Sequence, residues 1–489
     1  MKKLIIISIC LFFAISVEKS ALADKSEPFD TIIVGGGIAG LTTAFSLRNF
    51  NIKLLEKKSQ VGGRTFSGDY KGFSYARGTE YIGKPEGILK KIINQLNLKL
   101  REIPYPADIH YDNGKFYYGE MGKALMLTKR SSLSEYNRFL KIVQKTYRDY
   151  EDVPELDMKS KVAQLDKITA RQWFEQNKFS RIYIDTYNVT FKGLFGATID
   201  EISALSALTE MAFDYEGSEQ VEDIDDLKNT VTPYGDGTGM YAFDKGISEI
   251  PLGLARYLKD KVQVDTTVTK IMKKGEMYKV FYLNEKKEEH FYKAYTVILA
   301  TPAAISIAIG EEVLSNEQKE IMNKVEYAPY LTVALFSGEP IFNKGFDLAL
   351  PDGSFFTDIY DSTWIERYYN YEPRNKKTWI TTIYIAPRTY KDRSILAMTD
   401  ETIMSKIYEH LNIFLPGSRE KVQGFEINRF SYAYPVMTLG TYHRLTNLHK
   451  ITKNGLYLAG DYMTYPTFEA AVVSGELAAE KAIQWLEED

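Results

Sequence analysis

The stretch from Asp30 to Leu47 reads DTIIVGGGIAGLTTAFSL, and it decides the fold class. The run DTIIV is mostly apolar and β-branched, as in a buried strand, and the last seven residues have the apolar spacing of a helix. Between them, Gly35, Gly37 and Gly40 form the pattern G-x-G-x-x-G. In a strand–turn–helix unit these glycines allow a tight turn, a close approach of the backbone to a pyrophosphate, and close packing of the helix on the strand.

A second strand and an acidic residue complete this pattern. The run IKLL (52–55) has the composition of a strand, and it is followed by Glu56, 21 residues after Gly35. An acid at about this distance accepts hydrogen bonds from the ribose of a dinucleotide, and the N-terminus of the intervening helix binds the phosphates. The sequence therefore predicts an α/β fold with a Rossmann-like, dinucleotide-binding domain.

Two further stretches favour FAD over a nicotinamide cofactor. In VGGRT (61–65), the glycine pair lets the chain pass close to a cofactor, and Arg64 can pair with its phosphates. Near the other end, GLYLAGD (455–461) predicts a third strand, and residues 468–485 predict an amphipathic helix rich in small residues. This helix can pack on the first strand–helix–strand unit and direct its positive end towards N1 and O2 of a reduced flavin. A nicotinamide enzyme does not need this remote element.

These motifs resemble those of the flavin-containing amine oxidases, a family of monoamine, polyamine and L-amino-acid oxidases. The other segments that carry the resemblance are ARGTEYIG (76–83), GLFGATIDEISALSAL (193–208), GMYAFDKGISEIPLGLARYL (239–258), VILATP (297–302) and YLAGDY (457–462). The resemblance implies a Rossmann-like FAD-binding domain built from discontinuous segments, and an α+β substrate-binding domain over the flavin. We expect residues 28–83, 236–325 and 427–489 in the first domain, and 84–235 and 326–426 in the second.

The resemblance also implies which residues contact FAD. They are Gly35, Gly37, Ile38, Ala39, Gly40, Glu56, Lys57, Gly63, Arg64, Gly78, Thr79, Glu80, Val268, Gly460, Asp461 and Glu469. Val268 would act through its backbone, at the adenine. The cysteine that carries the flavin in monoamine oxidases has no counterpart in this chain, whose single cysteine is Cys10. We therefore expect non-covalent FAD.

The expected reaction is transfer of a hydride equivalent from a substrate C–H bond next to nitrogen to flavin N5. The imine that forms is then hydrolysed by water, and no acid–base residue is strictly required. Aromatic side chains can flank the amine, and the candidates are Tyr432, Tyr434, Tyr462 and Tyr465, although each could equally be an ordinary tyrosine. Glu80 can hold a substrate cation, or it can form a structural ion pair with Arg77.

One position departs from the family. In the strand after VILATP the family usually has a lysine, bonded through water to flavin N5 and associated with oxygen activation. Alignment places Thr332 there, and the nearest preceding lysine is Lys324. A neutral hydroxyl does not supply the positive charge that stabilises developing superoxide. We expect slow reaction with O2 and a different electron acceptor, such as an exported cytochrome.

Two other functions share the end motifs. One is an FAD-dependent desaturase or dehydrogenase that acts on C–C bonds, and the other is a non-catalytic FAD-binding protein, supported only by the missing lysine. The formal net charge of −4 does not indicate the excess of basic residues that is typical of nucleic-acid-binding proteins. The five histidines have no ligand spacing and there is one cysteine, so we expect no metal site.

The first 23 residues have the pattern of an export signal. Lys2 and Lys3 precede an apolar run, residues 4–17, and Ala21-Leu22-Ala23 is a cleavage site of the A-x-A type. The run is short for a membrane span. An uncleaved anchor or a buried helix is the alternative. Cleavage near Ala23 would give an exported protein, periplasmic or secreted, without a membrane anchor.

The middle of the chain shows further local patterns. A helix is expected over residues 133–150, and Thr169 is placed to cap the next one. Residues 331–336 and 379–385 alternate as strands do. Residues 216–226 carry six acids in eleven positions and are expected to form a solvated loop.

Overall fold

The computed structural model describes residues 27–148, 150–229, 237–369 and 377–488, so the predicted export signal lies outside the described residues. The strands are β1 Phe29–Val34, β2 Ile52–Leu55, β3 Ser67–Tyr70, β4 Phe73–Ala76, β5 Leu100–Glu102, β6 Ile109–Asp112, β7 Lys115–Tyr118, β8 Tyr241–Phe243, β9 Val262–Gln263, β10 Thr267–Lys274, β11 Met277–Leu283, β12 Glu289–Leu299, β13 Tyr327–Ser337, β14 Asp347–Ala349, β15 Asp358–Asp361, β16 Trp379–Ile385, β17 Val422–Pro435 and β18 Leu456–Leu458.

The α-helices of these described ranges include a run, from residue 119 to residue 214, that no strand interrupts. They are α1 Ile38–Ser46, α2 Gly87–Gln95, α3 Gly119–Arg130, α4 Leu133–Arg148, α5 Ala170–Gln176, α6 Arg181–Phe195, α7 Ala204–Asp214, α8 Glu249–Leu258, α9 Ala303–Ile309, α10 Asn316–Met322, α11 Trp364–Tyr369, α12 Ser394–Ala397, α13 Asp400–Phe414, α14 Thr441–Ile451 and α15 Phe468–Glu488. None of them combines the length and apolarity needed to cross a bilayer.

The first sheet joins segments that are far apart in the chain. Its parallel part runs β9-β2-β1-β12-β18, and β1 lies between β2 and β12. The long strand β12 pairs antiparallel with β11 in its first half and parallel with β1 in its second half. The central strands are buried, which explains their continuous apolar runs. The prediction of a Rossmann-like unit assembled from discontinuous segments is confirmed.

The second sheet has the order β17-β13-β16-β15-β14-β6-β7. Strand β13 is buried along its whole length because it pairs with both β16 and β17. The predicted boundary at residue 427 falls inside β17, which pairs with β13 of this second sheet on both sides of that residue. The third chain segment therefore contributes to the first sheet through β18, with α15 packed on it.

Helix α15 packs directly on α1, as its small residues predict. The hydroxyl of Thr43 on α1 donates a hydrogen bond to the carbonyl oxygen of Gly475, at 2.9 Å. A β-carbon at Gly475 would lie 2.3 Å from the carbonyl oxygen of Ala39. This contact brings the last helix of the chain against the helix of the glycine motif.

The local predictions in the middle of the chain are also confirmed. Residues 133–148 form α4, and Thr169 makes a reciprocal capping box with Gln172 at the start of α5. Strands β13 and β16 cover the two runs that alternate. Residues 216–226 are mostly exposed, apart from partial burial at Ser218 and Val221.

The contact at Gly475 gives a test of the packing of α15. We expect Gly475→Ala to lower the free energy of unfolding by about 1–3 kcal/mol, because the methyl group meets a backbone oxygen that cannot move freely. Val473→Ala, on the same helix but 46% exposed, is the matched control and should change stability by less than about 0.5 kcal/mol. Urea denaturation measures both, and equal stability of the two variants would contradict the packing.

Candidate active site

The glycine motif forms a tight turn, and two of its three glycines leave no room for a side chain. Gly35 has φ +111°, and a β-carbon there would lie 2.4 Å from the carbonyl oxygen of Ala300. A β-carbon at Gly40 would lie 2.0 Å from the carbonyl oxygen of Gly35. At Gly37, in contrast, no atom lies within 4 Å of the position that a β-carbon would take. The turn is packed on one side and open at Gly37.

The open side coincides with the N-terminus of α1. Gly37 is the N-cap residue and provides no side chain, and the first turn of the helix contains no acid. The N–H groups of Ile38, Ala39 and Gly40 belong to this first turn, where a helix has no acceptors of its own. Unoccupied space, free N–H groups and the positive end of the helix together fit a pyrophosphate.

Glu56 is held at the edge of this turn. Its Oε2 accepts a hydrogen bond from the N–H of Gly36 at 2.7 Å, and its Oε1 accepts one from the N–H of Lys58 at 2.8 Å. The carbonyl oxygen of Glu56 accepts from the N–H of Thr266 at 2.9 Å, which brings the start of β10, and so Val268, to the same edge. The structure thus brings together the predicted ribose and adenine positions, including the adjacent Lys57.

The second glycine pair lies against the first motif. The N–H of Gly62 donates to the carbonyl oxygen of Gly36 at 2.8 Å, and a β-carbon at Gly63 would lie 3.2 Å from Cα of Gly37. The N–H of Thr79 donates to the carbonyl oxygen of Arg64 at 3.1 Å. The neighbouring Gly78 approaches the same oxygen so closely that a β-carbon there would lie 2.0 Å from it.

Arg64 forms a two-pronged ion pair with Asp461. Its two terminal nitrogens lie 2.7 and 2.9 Å from the carboxylate oxygens, and it also donates to the carbonyl oxygen of Ala433. The Asp461 side chain is 7% exposed. Burial lowers the pKa of Arg64, but Asp461 outweighs it and holds that pKa above its ordinary value. A role of Arg64 towards the phosphates stays a prediction, since its charge is already balanced.

The start of α15 contacts the segment 76–83. Oε1 of Glu469 accepts a hydrogen bond from the N–H of Gly83 at 2.7 Å. Burial raises the pKa of Glu469. The N–H of Gly460 donates to Oγ of Ser474 at 2.9 Å, which fixes the turn after β18 to the same helix.

The alternative ion pair between Glu80 and Arg77 is wrong. Arg77 instead binds both oxygens of Glu426, at 2.5 and 2.7 Å. Glu80 points to the second sheet, where its oxygens contact the hydroxyls of Tyr384 at 3.0 Å and of Ser362 at 3.4 Å. Burial raises the pKa of Glu80 to about 7.

Thr332 lies in the middle of β13 and is 2% exposed. Its hydroxyl donates to the carbonyl oxygen of Arg77 at 2.7 Å, next to Gly78. The hydroxyl is therefore used to join the second sheet to the segment 76–83. The side chain at this position therefore supplies a neutral hydroxyl and not an ammonium group.

The four candidate tyrosines lie in different surroundings. Tyr434 packs edge-on against Tyr330 with ring centres 5.4 Å apart, and Tyr330 in turn lies 6.1 Å from Tyr384, the partner of Glu80. Tyr432 is 38% exposed and packs edge-on against Tyr327. Both candidates belong to β17.

The other two candidates are buried. The hydroxyl of Tyr465 donates to the carbonyl oxygen of Ser206 at 2.9 Å. Tyr462 lies in a short 3₁₀ helix, and its hydroxyl is buried. Tyr434 is therefore linked to Glu80 indirectly, through Tyr330 and Tyr384, while Tyr465 bonds to α7.

Sequence reasoning missed a group of acids around Tyr81. Burial, followed by the charges of Asp108, Asp347, Glu210 and Asp214, raises the pKa of the Tyr81 hydroxyl well above its ordinary value. These four acids come from three places: the residue before β6, the start of β14, and α7. No spacing along the chain links them, so only the folded chain reveals the group.

Burial also raises the pKa values of these acids. The pKa of Glu210 rises to about 8 and that of Asp214 to about 6, with neighbouring carboxylates adding to the effect of burial. Lys123 is the cation that opposes the shift at Glu210, Asp214 and Asp108. We name Asp108, Asp347, Glu210 and Asp214 the Tyr81 acids.

A family model described as flavin containing amine oxidoreductase matches residues 38–483. The chain belongs to this family. It is 27% identical over 298 residues to the flavin-containing amine oxidase of Danio rerio, over 58% of this chain and 52% of that protein. It is 23% identical over 327 residues to an L-amino-acid oxidase of Trimeresurus stejnegeri, over 64% of this chain and 58% of that protein. The chain thus spans little more than half the length of these curated relatives.

Solved structures share the fold over almost the whole chain. Cyclohexylamine oxidase from Brevibacterium oxydans has a TM-score of 0.71 at 17% identity, covering 94% of this chain and 100% of that one. Wild-type putrescine oxidase bound to putrescine has a TM-score of 0.70 at 16% identity, covering 93% and 99%. A fatty acid isomerase from P. acnes has a TM-score of 0.67 at 14% identity, covering 92% and 98%. At these identities the likeness shows the fold alone.

As a flavin-containing amine oxidoreductase, the chain is a flavin-dependent enzyme with FAD as its cofactor. The open turn at Gly37, the uncapped start of α1 and the carboxylate of Glu56 fit the adenylate half of that cofactor. Cys10 is the single cysteine and precedes β1, so the flavin is held without a thioether bond.

The two kinds of glycine position in the turn lead to different expectations. We expect Gly37→Ala to fold with unchanged thermal stability as apoprotein, because the methyl group enters empty space at an ordinary φ of −72°. The same methyl group occupies the space of the pyrophosphate, so the Kd for FAD should rise roughly tenfold or more, equivalent to about 1.4 kcal/mol.

Gly35→Ala is the contrasting control, since it should destabilise the apoprotein itself. Thermal denaturation of the apoproteins and fluorescence titration with FAD measure both effects. Unchanged FAD affinity in Gly37→Ala would contradict the proposed position of the pyrophosphate.

Proposed function

We propose that this enzyme oxidises the C–N bond of a cationic amine to an imine and passes the electrons to an acceptor other than O2. FAD, when bound, supplies the hydride-accepting chemistry. The residues of the chain bind the nucleotide at Gly37, α1 and Glu56, and bind the amine near Glu80 and Tyr81. An exported redox protein such as a cytochrome is the acceptor that we propose.

The observation that carries this proposal is the group of acids that acts on Tyr81, of which Asp214, with a pKa of about 6, is ionised at neutral pH. All four Tyr81 acids act electrostatically on its hydroxyl, and Lys123 opposes the pKa shifts of Asp108, Glu210 and Asp214. The arginines near the segment 76–83 are already bound to carboxylates: Arg64 to Asp461, Arg77 to Glu426 and Arg367 to Asp361. An ammonium group is attracted to such a site, whereas the carboxylate of an α-amino acid is repelled. The balance favours an amine over an amino acid.

The aromatic lining supports the same conclusion. Tyr81 packs against Phe346 and Tyr360, with ring centres 6.0 and 6.3 Å away. Tyr360 packs edge-on against Tyr384, with ring centres 5.1 Å apart. Aromatic faces stabilise cations and bury the apolar part of an alkyl amine.

The direct experiment is an anaerobic substrate screen. Holoenzyme is mixed with alkyl amines, diamines, α-amino acids and the matching alcohols, and the flavin absorbance is followed. We expect amines to bleach the flavin, and amino acids and alcohols to leave it oxidised. Bleaching by α-amino acids alone would overturn the assignment of substrate class, and bleaching by no amine would overturn the proposed reaction.

The Tyr81 acids give a mutational test of the same idea. We expect Asp214→Asn to raise the KM for an amine roughly threefold to tenfold, the effect of about 1 kcal/mol of charge attraction, with kcat nearly unchanged. Asp226→Asn, in the exposed acidic loop, removes the same charge elsewhere and should leave both constants unchanged. Steady-state kinetics with an artificial acceptor measure the two variants, and equal KM values would contradict a role for these acids.

The acceptor is proposed from the surroundings of Thr332. Its buried hydroxyl is bonded to the carbonyl oxygen of Arg77, so this position contributes no positive charge where superoxide would develop. We expect the reduced enzyme to react more slowly with O2 than with ferricenium, because the loss of one electrostatic group slows the formation of superoxide roughly 100-fold and leaves the reaction with ferricenium unaffected. Stopped-flow reoxidation measures both rates, and rapid oxidation by air would contradict the proposal.

A further inference from the structure

The hydroxyl of Tyr384 lies between two oxygen atoms. Its oxygen is 2.6 Å from the carbonyl oxygen of Gly78 and 3.0 Å from Oε2 of Glu80. A phenol has one hydrogen, and a carbonyl oxygen can only accept. At 2.6 Å the hydrogen of Tyr384 must point to Gly78, because two oxygens without a hydrogen between them repel at that distance. The contact with Glu80 therefore needs a hydrogen that Glu80 itself provides.

The other oxygen of Glu80 has the complementary arrangement. Oγ of Ser362 lies 3.4 Å from Oε1 of Glu80 and 2.6 Å from Oγ1 of Thr382. With Thr382 donating to Ser362, the Ser362 hydroxyl donates to Oε1. One oxygen of Glu80 then accepts and the other donates, as in a neutral carboxylic acid.

The charges that face Glu80 agree with this assignment. Asp361, at the end of β15, carries the nearest acidic charge that acts on it, and Arg367 and Thr363 bind that carboxylate. Arg77, on the same segment as Glu80, is bound to Glu426 and does not pair with it. The ionised form of Glu80 thus has hydroxyl partners, and no cation pairs with it among the described residues.

We propose that Glu80, once it has released the hydrogen described above to solvent, is the base that accepts the proton of the substrate ammonium group. This inference rests on the proposed amine oxidation. An N–H bond of the ammonium breaks and an O–H bond forms at Oε2 of Glu80, whose new hydrogen is received by Tyr384. The nitrogen keeps the electron pair, which the transfer of hydride from the neighbouring carbon requires. The transfer needs no other reagent, and Tyr384 is a positioning residue for it.

Glu80→Gln separates the structural and the catalytic roles. The amide donates to Tyr384 and accepts from Ser362 as the neutral acid does, so the variant should fold with unchanged stability, but it cannot take a proton. We expect the rate constant of flavin reduction by a saturating amine near pH 7 to fall roughly 100-fold, the usual contribution of a general base. A rate within twofold of wild type would overturn the proposal.

The pH dependence gives a second readout. Burial raises the pKa of Glu80 to about 7, so in wild type kcat/KM should rise tenfold per pH unit up to about 7 and then level off. In Glu80→Gln only the neutral amine reacts, so kcat/KM should rise without that bend up to the pKa of the amine itself. A bend near pH 7 that persists in Glu80→Gln would assign it to another group and overturn the proposal.

Tyr384→Phe tests the direction of the hydrogen bond. If Tyr384 accepts from the neutral acid, its loss favours the ionised form, and the bend moves to lower pH. If Tyr384 donated to an ionised Glu80, the bend would move to higher pH, which would overturn the hydrogen assignment.

Infrared spectroscopy of the substrate-free holoenzyme is independent of turnover. We expect a carboxylic-acid C=O band that titrates near pH 7 and disappears in Glu80→Gln. The band should persist in the control variant Asp166→Asn. Asp166 is a buried acid that accepts a hydrogen bond from the backbone N–H of His443 and is remote in sequence from the segment 76–83. Loss of the band in Asp166→Asn instead would overturn the assignment. If no amine reduces the flavin of any variant, the proposed function fails, and the band still decides whether Glu80 holds a proton.

Discussion

The structure depends on the close contact between the first and last helices of the chain. Gly475 lets α15 approach the backbone of Ala39, and Thr43 bonds to the carbonyl oxygen of Gly475. Packing at this distance excludes even one extra methyl group from the backbone contact. The contact fixes α15 on α1, and β18 with the turn at Gly460 is tied to α15 through Ser474.

Two interactions between distant segments follow from this contact. Asp461 comes next to Arg64, and Glu469 comes next to Gly83. Both join the last part of the chain to residues 64–83, the stretch that also carries Glu80 and Tyr81. The site is thus built where the first sheet, the last helix and the second sheet meet, so its geometry depends on the whole assembly and not on one loop.

Much of the first sheet could be predicted from local sequence. The strand, glycine and helix signals of residues 30–47 are contiguous, and Gly35 and Gly40 each meet a steric requirement that the structure shows. The small residues of α15 likewise predicted a close helix contact. In these places the physical requirement acts within a short stretch of chain, so the residue type reports it directly.

The surroundings of Glu80 could not be predicted in this way. Its partners, Tyr384 and Ser362, lie about 300 residues away, and the alternation of β16 predicts a strand without indicating which face meets the segment 76–83. The Tyr81 acids come from separate elements for the same reason. The ion pair between Glu80 and Arg77 that the sequence suggested was wrong, because Glu426, on a strand far along the chain, binds that arginine.

Binding of FAD at the open turn beside Gly37 is the central claim, and a flavin titration tests it most directly. The purified protein is gel-filtered and its visible spectrum is recorded. The protein is then precipitated with acid, and the molar ratio of released FAD to protein is determined. We expect one FAD per chain, all of it in the supernatant after precipitation. Folded protein that is colourless and takes up no FAD on titration would contradict the account.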